Sequence, residues 1–256
     1  MDAQPKSKDR PDYGNWVSKK LIYLPGMVSL VFWGLALLSR WWMLPAVLFL
    51  GVAAYFGYAR FLFSSPGKNI QTRIRELLLD HLDWKGEGQA LDIGCGGGAL
   101  VIELARQHPQ ARVCGIDSWE PGWEYSQAAC ERNAQLEGVG ERVTFRNARA
   151  WALPFEDESL DAVVSNLVFH EVKEAPDKRE LVREALRVLR KGGKFAFQDL
   201  FLFERLYGSP AELVETLRGW GVSRVEFIPT RQAAFIPQVL KLPFMVGTLG
   251  LLAGEK

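Results

Sequence analysis

Residues 91–98 read Leu-Asp-Ile-Gly-Cys-Gly-Gly-Gly, and a helical pattern spans Leu100–Gln107 behind them. Strand, glycine turn and helix in that order restrict the chain to a parallel α/β architecture. Glycine is needed where the backbone turns sharply and lets a ligand approach with no Cβ in the way. The following helix offers unpaired N–H groups to an anionic group. The spacing Gly94-x-Gly96-x-x-Ala99 also fits the dinucleotide fingerprint. Asp92 separates the two readings. A carboxylate two residues before the first glycine would repel a pyrophosphate and would welcome an ammonium group.

The pattern continues in both directions. A helix is expected at Asn69–Leu82 and a strand at Ala90–Ile93. A strand at Arg112–Ile116 and a helix at Gly122–Leu136 come next. Strands at Arg142–Phe145 and Leu160–Ser165, a helix at Pro176–Leu189 and a strand at Lys194–Gln198 follow. A helix at Ala211–Trp220 and a strand at Arg224–Ile228 close the alternation. Asp117, at the end of the second strand, lies 23 residues beyond Gly94, where a carboxylate can accept both hydroxyls of a ribose.

Four motifs now stand in order: Leu91–Gly98, the strand end at Asp117, Leu153–Ser165 and Leu189-Arg190-Lys191-Gly192-Gly193. Together they resemble class I S-adenosylmethionine-dependent methyltransferases, nearest the ubiquinone and menaquinone biosynthesis subgroup. The resemblance covers about residues 69–256. It implies a Rossmann-like seven-stranded sheet in the order 3-2-1-4-5-7-6, with Leu249–Gly254 as its last, antiparallel strand. It also implies S-adenosylmethionine as cofactor. Asp92, Gly94, Cys95 and Gly96 would line the methionine end. Asp117 would hold the ribose, with Ser118 and Trp119 beside the adenosine. Asn147-Ala148 stands where the family often has Asp-Ala facing the adenine. Asn166 would sit near the methyl-transfer centre. His170, four residues on, is the best-placed base should the acceptor carry a proton; Glu171 and Tyr207 are weaker candidates. The Asn/Asp-Pro-Pro-aromatic signature of amino-directed nucleic-acid methyltransferases is replaced by Ser165-Asn166-Leu167-Val168.

Upstream lies a different kind of sequence. No charge appears from Leu21 to Leu38, nor from Trp41 to Ala59, and only Ser39 and Arg40 separate the runs. Each run is about 28 Å long as helix, close to the ~30 Å hydrocarbon core of a bilayer. The expectation is a transmembrane helical hairpin over 21–63, after a loose polar tail over 1–20 and before a methyltransferase domain over 64–256. Lys6, Lys8, Arg10, Lys19 and Lys20 precede the first run, while Arg60, Lys68, Arg73 and Arg75 follow the second. By the positive-inside rule both termini and the catalytic domain would be cytosolic, on an integral protein of the cytoplasmic membrane. Three cysteines without a C-x-x-C pair fit a reduced compartment, and the three scattered histidines point to no metal site.

The formal net charge of +1 carries no basic excess for nucleic acid. Only about eight residues, Arg60–Gly67, link hairpin to domain, a reach of at most about 26 Å. The active site would therefore lie near membrane lipids and take a lipidic or amphipathic acceptor. The connection 233–246, between the last two strands, is unusually apolar and would either cap the site or dip into lipid. Two further readings are a soluble small-molecule acceptor with the hairpin as tether, and a non-catalytic cofactor-binding membrane protein. Oligomeric state is open.

Overall fold

The computed structural model describes residues 10–120 and 125–256. The first nine residues of the expected tail, with Lys6 and Lys8, and the start of the helix expected from Gly122, lie outside them.

The chain divides into two compact units. Among the described residues, one comprises 10–14, 75–236 and 241–256; the other comprises 15–74 and 237–240. The expected tail is therefore split. Its residues 10–14 group with the sheet, and along the chain the division between the two units falls at 74–75.

The larger unit holds β1 (Gln89–Ile93), α4 (Ala99–Gln107), β2 (Arg112–Asp117), α5 (Gln127–Leu136), β3 (Val143–Asn147) and β4 (Leu160–Asn166). It continues with α6 (Arg179–Val188), β5 (Leu189–Asp199), a single turn α7 (Glu204–Tyr207), α8 (Pro210–Gly219), β6 (Arg224–Ile228) and β7 (Gly250–Glu255). The strands form one sheet in the order β3-β2-β1-β4-β5-β7-β6. Only β7 is antiparallel, to both β5 and β6. The expected order and the antiparallel last strand are both present. β5 starts five residues earlier than the sequence suggested, because Gly192, at φ +73°, lets the Arg-Lys-Gly-Gly turn stay within the strand.

Each strand alternates its side chains between two cores. Ala90, Val113, Val143, Phe145, Ala162 and Val164 pack against α4 and α5 on one face. Leu91, Ile93, Ile116, Val163, Phe195 and Phe197 pack against α6 and α8 on the other. The sheet is buried on both faces, which is why β1 and β4 read as near-continuous apolar runs.

The smaller unit holds α1 (Lys20–Ala36) and α2 (Met43–Phe63), joined by a 3-10 turn at Arg40–Trp42. The helix α3 (Ile70–Asp80) carries the chain from this unit into the larger one. Arg40–Phe63 is 24 residues and is the one stretch, among the described residues, long and apolar enough to cross a membrane. α1 has 17 residues, about 25 Å, and falls short of that length. Two full spans, as expected from the uncharged runs, are therefore not matched by two helices of spanning length. Polar Ser29 is buried inside the hairpin, where its hydroxyl donates to the Ala46 carbonyl at 2.8 Å. Phe32 stacks on Trp42 and Phe49. The chain returns to this unit at Pro237–Leu240, where the Tyr55 hydroxyl donates to the Val239 carbonyl at 3.0 Å.

Candidate functional site

The carboxyl ends of β1, β2 and β4 meet beneath the glycine loop. Gly94 N and Cys95 N both donate to the Ile116 carbonyl, at 2.8 and 2.9 Å, which folds the loop over the end of β2. At Gly94 the backbone is left-handed, φ +72°, and a Cβ would lie 2.2 Å from Val168. At Gly96, φ +52°, the nearest atoms to such a Cβ belong to Tyr125, 3.7 Å away, so this position stays open to a ligand. The Cys95 side chain is buried, close to Gly115 and below the loop, and burial pushes its thiol up. Its place in the site is its backbone.

Asp117 ties loop and strand end together. Its carboxylate accepts from Gly96 N and Trp119 N, each at 2.9 Å. The Trp119 indole N–H donates back to the Gly96 carbonyl at 3.1 Å, so the ring covers the glycine loop. Trp119 takes φ +40° and Leu167, just past β4, takes φ +61°. Left-handed backbone at a non-glycine residue costs about 1–3 kcal/mol and gathers at functional sites. Ser118 accepts from the Asn147 amide through its carbonyl, at 2.7 Å, and Ala148 N donates to the Asp117 carbonyl at 3.0 Å.

Two buried acceptors at these strand ends stand without a hydrogen-bond partner: Asp92 Oδ2 and Asn166 Oδ1. Burial, together with the neighbouring Asp117 carboxylate, holds the Asp92 carboxyl well above the ordinary range, against the pull of Arg75. Such a group is costly unless something binds it.

A second cluster sits past β4 and β5. Asp199, fully buried, accepts from five donors: Val168 N, Phe169 N and Leu200 N at 3.0, 2.8 and 2.7 Å, the Tyr207 hydroxyl at 3.0 Å and His170 Nδ1 at 2.8 Å. A carboxylate surrounded by donors fixes the histidine tautomer, with Nδ1 donating and Nε2 left as acceptor. Nε2 lies 3.8 Å from a Glu171 oxygen. Burial lowers the His170 pKa, but the hydrogen bond and charge of Asp199 outweigh it and leave it raised. Among the described residues, no cluster of His, Cys, Asp and Glu is built to hold a metal ion.

Residues 91–197 match the family model described as "Methyltransferase domain". Over these residues the chain is similar to a methyltransferase domain. The chain is 34% identical over 164 residues to 27-O-demethylrifamycin SV methyltransferase of Amycolatopsis mediterranei, covering 63% of this chain and 57% of that one. It is 37% identical over 109 residues to demethylmenaquinone methyltransferase of Roseiflexus castenholzii, covering 43% and 41%. The chain thus spans about half the length of the curated relatives it matches. Geranyl diphosphate C-methyltransferase from Streptomyces coelicolor superposes with TM-score 0.55 at 17% identity, over 73% of this chain and 80% of that one. The [4+2]-cyclase SpnF superposes with TM-score 0.53 at 22% identity, over 72% and 80%. The last pair shows one fold carrying different named chemistries.

S-adenosylmethionine is the cofactor of such a methyltransferase domain, and the residues present fit it. The orphaned Asp92 oxygen suits an ammonium group, the bare Gly96 leaves room above the loop, and Asp117 stands at the ribose distance along the chain. The structure adds residues that the sequence left unread. Asn133, 2% exposed, donates to the Gly97 carbonyl at 3.0 Å and the Asp12 carbonyl at 2.8 Å, and accepts from Asp12 N at 3.0 Å. Residues 12–14 are thereby clasped beside the glycine loop, with the Tyr13 hydroxyl donating to Glu137 at 3.2 Å. A Cβ at Gly97 would touch both Tyr13 and Tyr125. No local pattern announces a contact 121 residues long. Asp199 was legible in principle, as an acidic residue at a strand's carboxyl end.

Proposed function

We propose that this protein is a membrane-anchored S-adenosylmethionine-dependent methyltransferase acting on a lipidic or amphipathic acceptor at the cytoplasmic face of a membrane. The observation that carries the reading is the surface of the smaller unit. Large apolar side chains are exposed along α1, the turn after it and the first half of α2, among them Leu30 at 71%, Leu37 at 89% and Leu44 at 77%. A contiguous apolar surface of this extent marks a membrane or partner surface. Arg40, Trp41 and Trp42 at the turn suit an interfacial layer.

When bound, the cofactor supplies an electrophilic methyl group on a sulfonium that leaves as a neutral thioether. The protein's own work is then orientation, water exclusion and proton handling. Asp92 would pair with the ammonium, Asp117 with the ribose, and Asn147 and Ala148 would flank the adenine. Asn166 would face the methyl end. His170 Nε2 would take the proton of a hydroxyl or amine acceptor as the methyl is transferred, with Asp199 holding the ring.

The experiment is transfer from a methyl-labelled donor by the detergent-purified full chain to a total lipid extract. Label in the organic phase is expected. Label confined to aqueous products would overturn the lipidic acceptor and favour a soluble one. That second reading rests on relatives such as the rifamycin enzyme, which is named for a small-molecule substrate.

A further inference from the structure

Among the described residues, the larger unit exposes only four large apolar side chains: Leu136, Phe203, Leu242 and Phe244. Leu136 ends α5 at the amino end of the sheet. The other three gather at the opposite end. Phe203 lies four residues past Asp199, the last residue of β5. Leu242 and Phe244 lie in the connection that leads into Gly250, which pairs with Asp199 in the sheet. Leu202 N donates to the Thr248 carbonyl at 3.0 Å and ties the two connections together. Exposed apolar side chains therefore border the end of the domain that holds Asn166 and the His170–Asp199 pair.

The tip is preformed. The Leu242 carbonyl accepts from Met245 N at 2.9 Å and Gly247 N at 3.0 Å. A Cβ at Gly247 would lie 2.4 Å from the Lys241 carbonyl, so the turn closes tightly around that residue. Phe244 stands 65% exposed at its crown, next to exposed Pro243. Charged residues stand beside each apolar element: half-buried Lys241 precedes Leu242, and exposed Glu204 and Arg205 follow Phe203. Four residues earlier in the same connection, Pro237–Leu240 belongs to the hairpin unit through the Tyr55–Val239 bond.

We infer that Phe203, Leu242 and Phe244 form a second bilayer-docking surface, which seats the acceptor end of the methyltransferase domain in the interfacial layer of an anionic membrane. The occupant is lipid. The apolar tip at Leu242 and Phe244, with Lys241 beside it, matches acyl chains below and anionic headgroups above. The same connection passes through the hairpin unit at Pro237–Leu240, and the surface rims the site that would receive a lipidic acceptor. The inference rests on the membrane reading proposed above.

The test places one fluorescent label at a time on the full chain, at Phe244→Cys, Leu136→Cys or Leu30→Cys, each with Cys114→Ala. The proteins are reconstituted into phosphatidylcholine–phosphatidylglycerol vesicles that carry shallow spin-labelled lipid. Quenching at 244 several-fold above that at 136, and comparable to that at 30, is expected. Quenching at 30 with none at 244 would overturn the second surface and leave the hairpin standing. No quenching at 30 would overturn the membrane reading and this inference with it. Replacing phosphatidylglycerol with phosphatidylcholine should lower quenching at 244 and leave 30 unchanged; equal quenching in both vesicles would refute the role of Lys241.

Discussion

Replacing Asp199 with asparagine tests the proton-handling role of His170. The carboxylate serves five donors, three on Oδ1 (His170, Leu200, Tyr207) and two on Oδ2 (Val168, Phe169). An asparagine keeps one oxygen. If its amide faces Val168 and Phe169, two backbone N–H groups lose their acceptor; if it faces the other side, His170, Leu200 and Tyr207 lose theirs. An unsatisfied buried donor costs about 1–3 kcal/mol, so with at least two of them Asp199→Asn should lower stability by about 2–6 kcal/mol. The catalytic loss is separate. General-base assistance contributes about 10²–10⁴-fold, and kcat for label transfer should fall at least ~100-fold. The pH profile carries the sharper sign. His170 accepts a proton only when neutral, and Asp199 raises its pKa above the ordinary 6.5. In the parent, activity should therefore climb with pH through a midpoint above 6.5. In the variant the raising influence is gone and burial remains, so any surviving limb should move to lower pH. His170→Gln, which leaves Asp199 in place, should lose the limb altogether while the cofactor dissociation constant stays unchanged by calorimetry. A His170→Gln enzyme with parental kcat and an unaltered pH profile would refute the assignment.

Asp92→Asn removes a buried carboxyl whose charged form is disfavoured by burial and by Asp117. The melting temperature at neutral pH should hold or rise, while cofactor affinity falls at least ~10-fold, about 1.4 kcal/mol, by calorimetry. Gly94→Ala places a Cβ 2.2 Å from Val168 at φ +72°, so denaturant unfolding should show a loss of at least about 1–2 kcal/mol together with lost cofactor binding. Asn133→Ala unties residues 12–14 from the glycine loop. Amide exchange at Asp12 should accelerate and the cofactor dissociation constant should rise several-fold, with the sheet's exchange pattern intact.

The sheet was readable because its signals are local. Alternation around β1, the loop at Gly94–Gly98 and the acidic end at Asp117 each occupy fewer than ten residues, and four such motifs in order define one topology. The site divided along the same line. Asp92, Asp117 and Asn166 announce themselves at strand ends, and each meets its neighbours there. The Asn133 clasp, the partner of His170 and the turn at Pro237–Leu240 depend on contacts between distant segments, which periodicity does not encode. The bond from the Trp119 indole N–H to the Gly96 carbonyl is not readable either, because it goes with a left-handed φ that residue type alone disfavours. The shortness of α1 was hidden too. Hydropathy counts residues without charge, while Leu37 to Ser39 leave the helix to make the turn.

The clasp at Asn133 also changes what the hairpin is. Residues 12–14 precede the apolar helices in the chain, yet they finish the wall of the glycine loop. The hairpin is thus spliced into the enzyme and does not lead it. A truncation that strips everything before residue 64 would remove residues 12–14 of the larger unit along with the hairpin, and its inactivity would say nothing about membranes. A water-soluble form calls for internal excision of 15–63 with a flexible bridge. The same splice orders events during synthesis. Residues 12–14 emerge first and must wait for Asn133, 121 positions later, before they find their place.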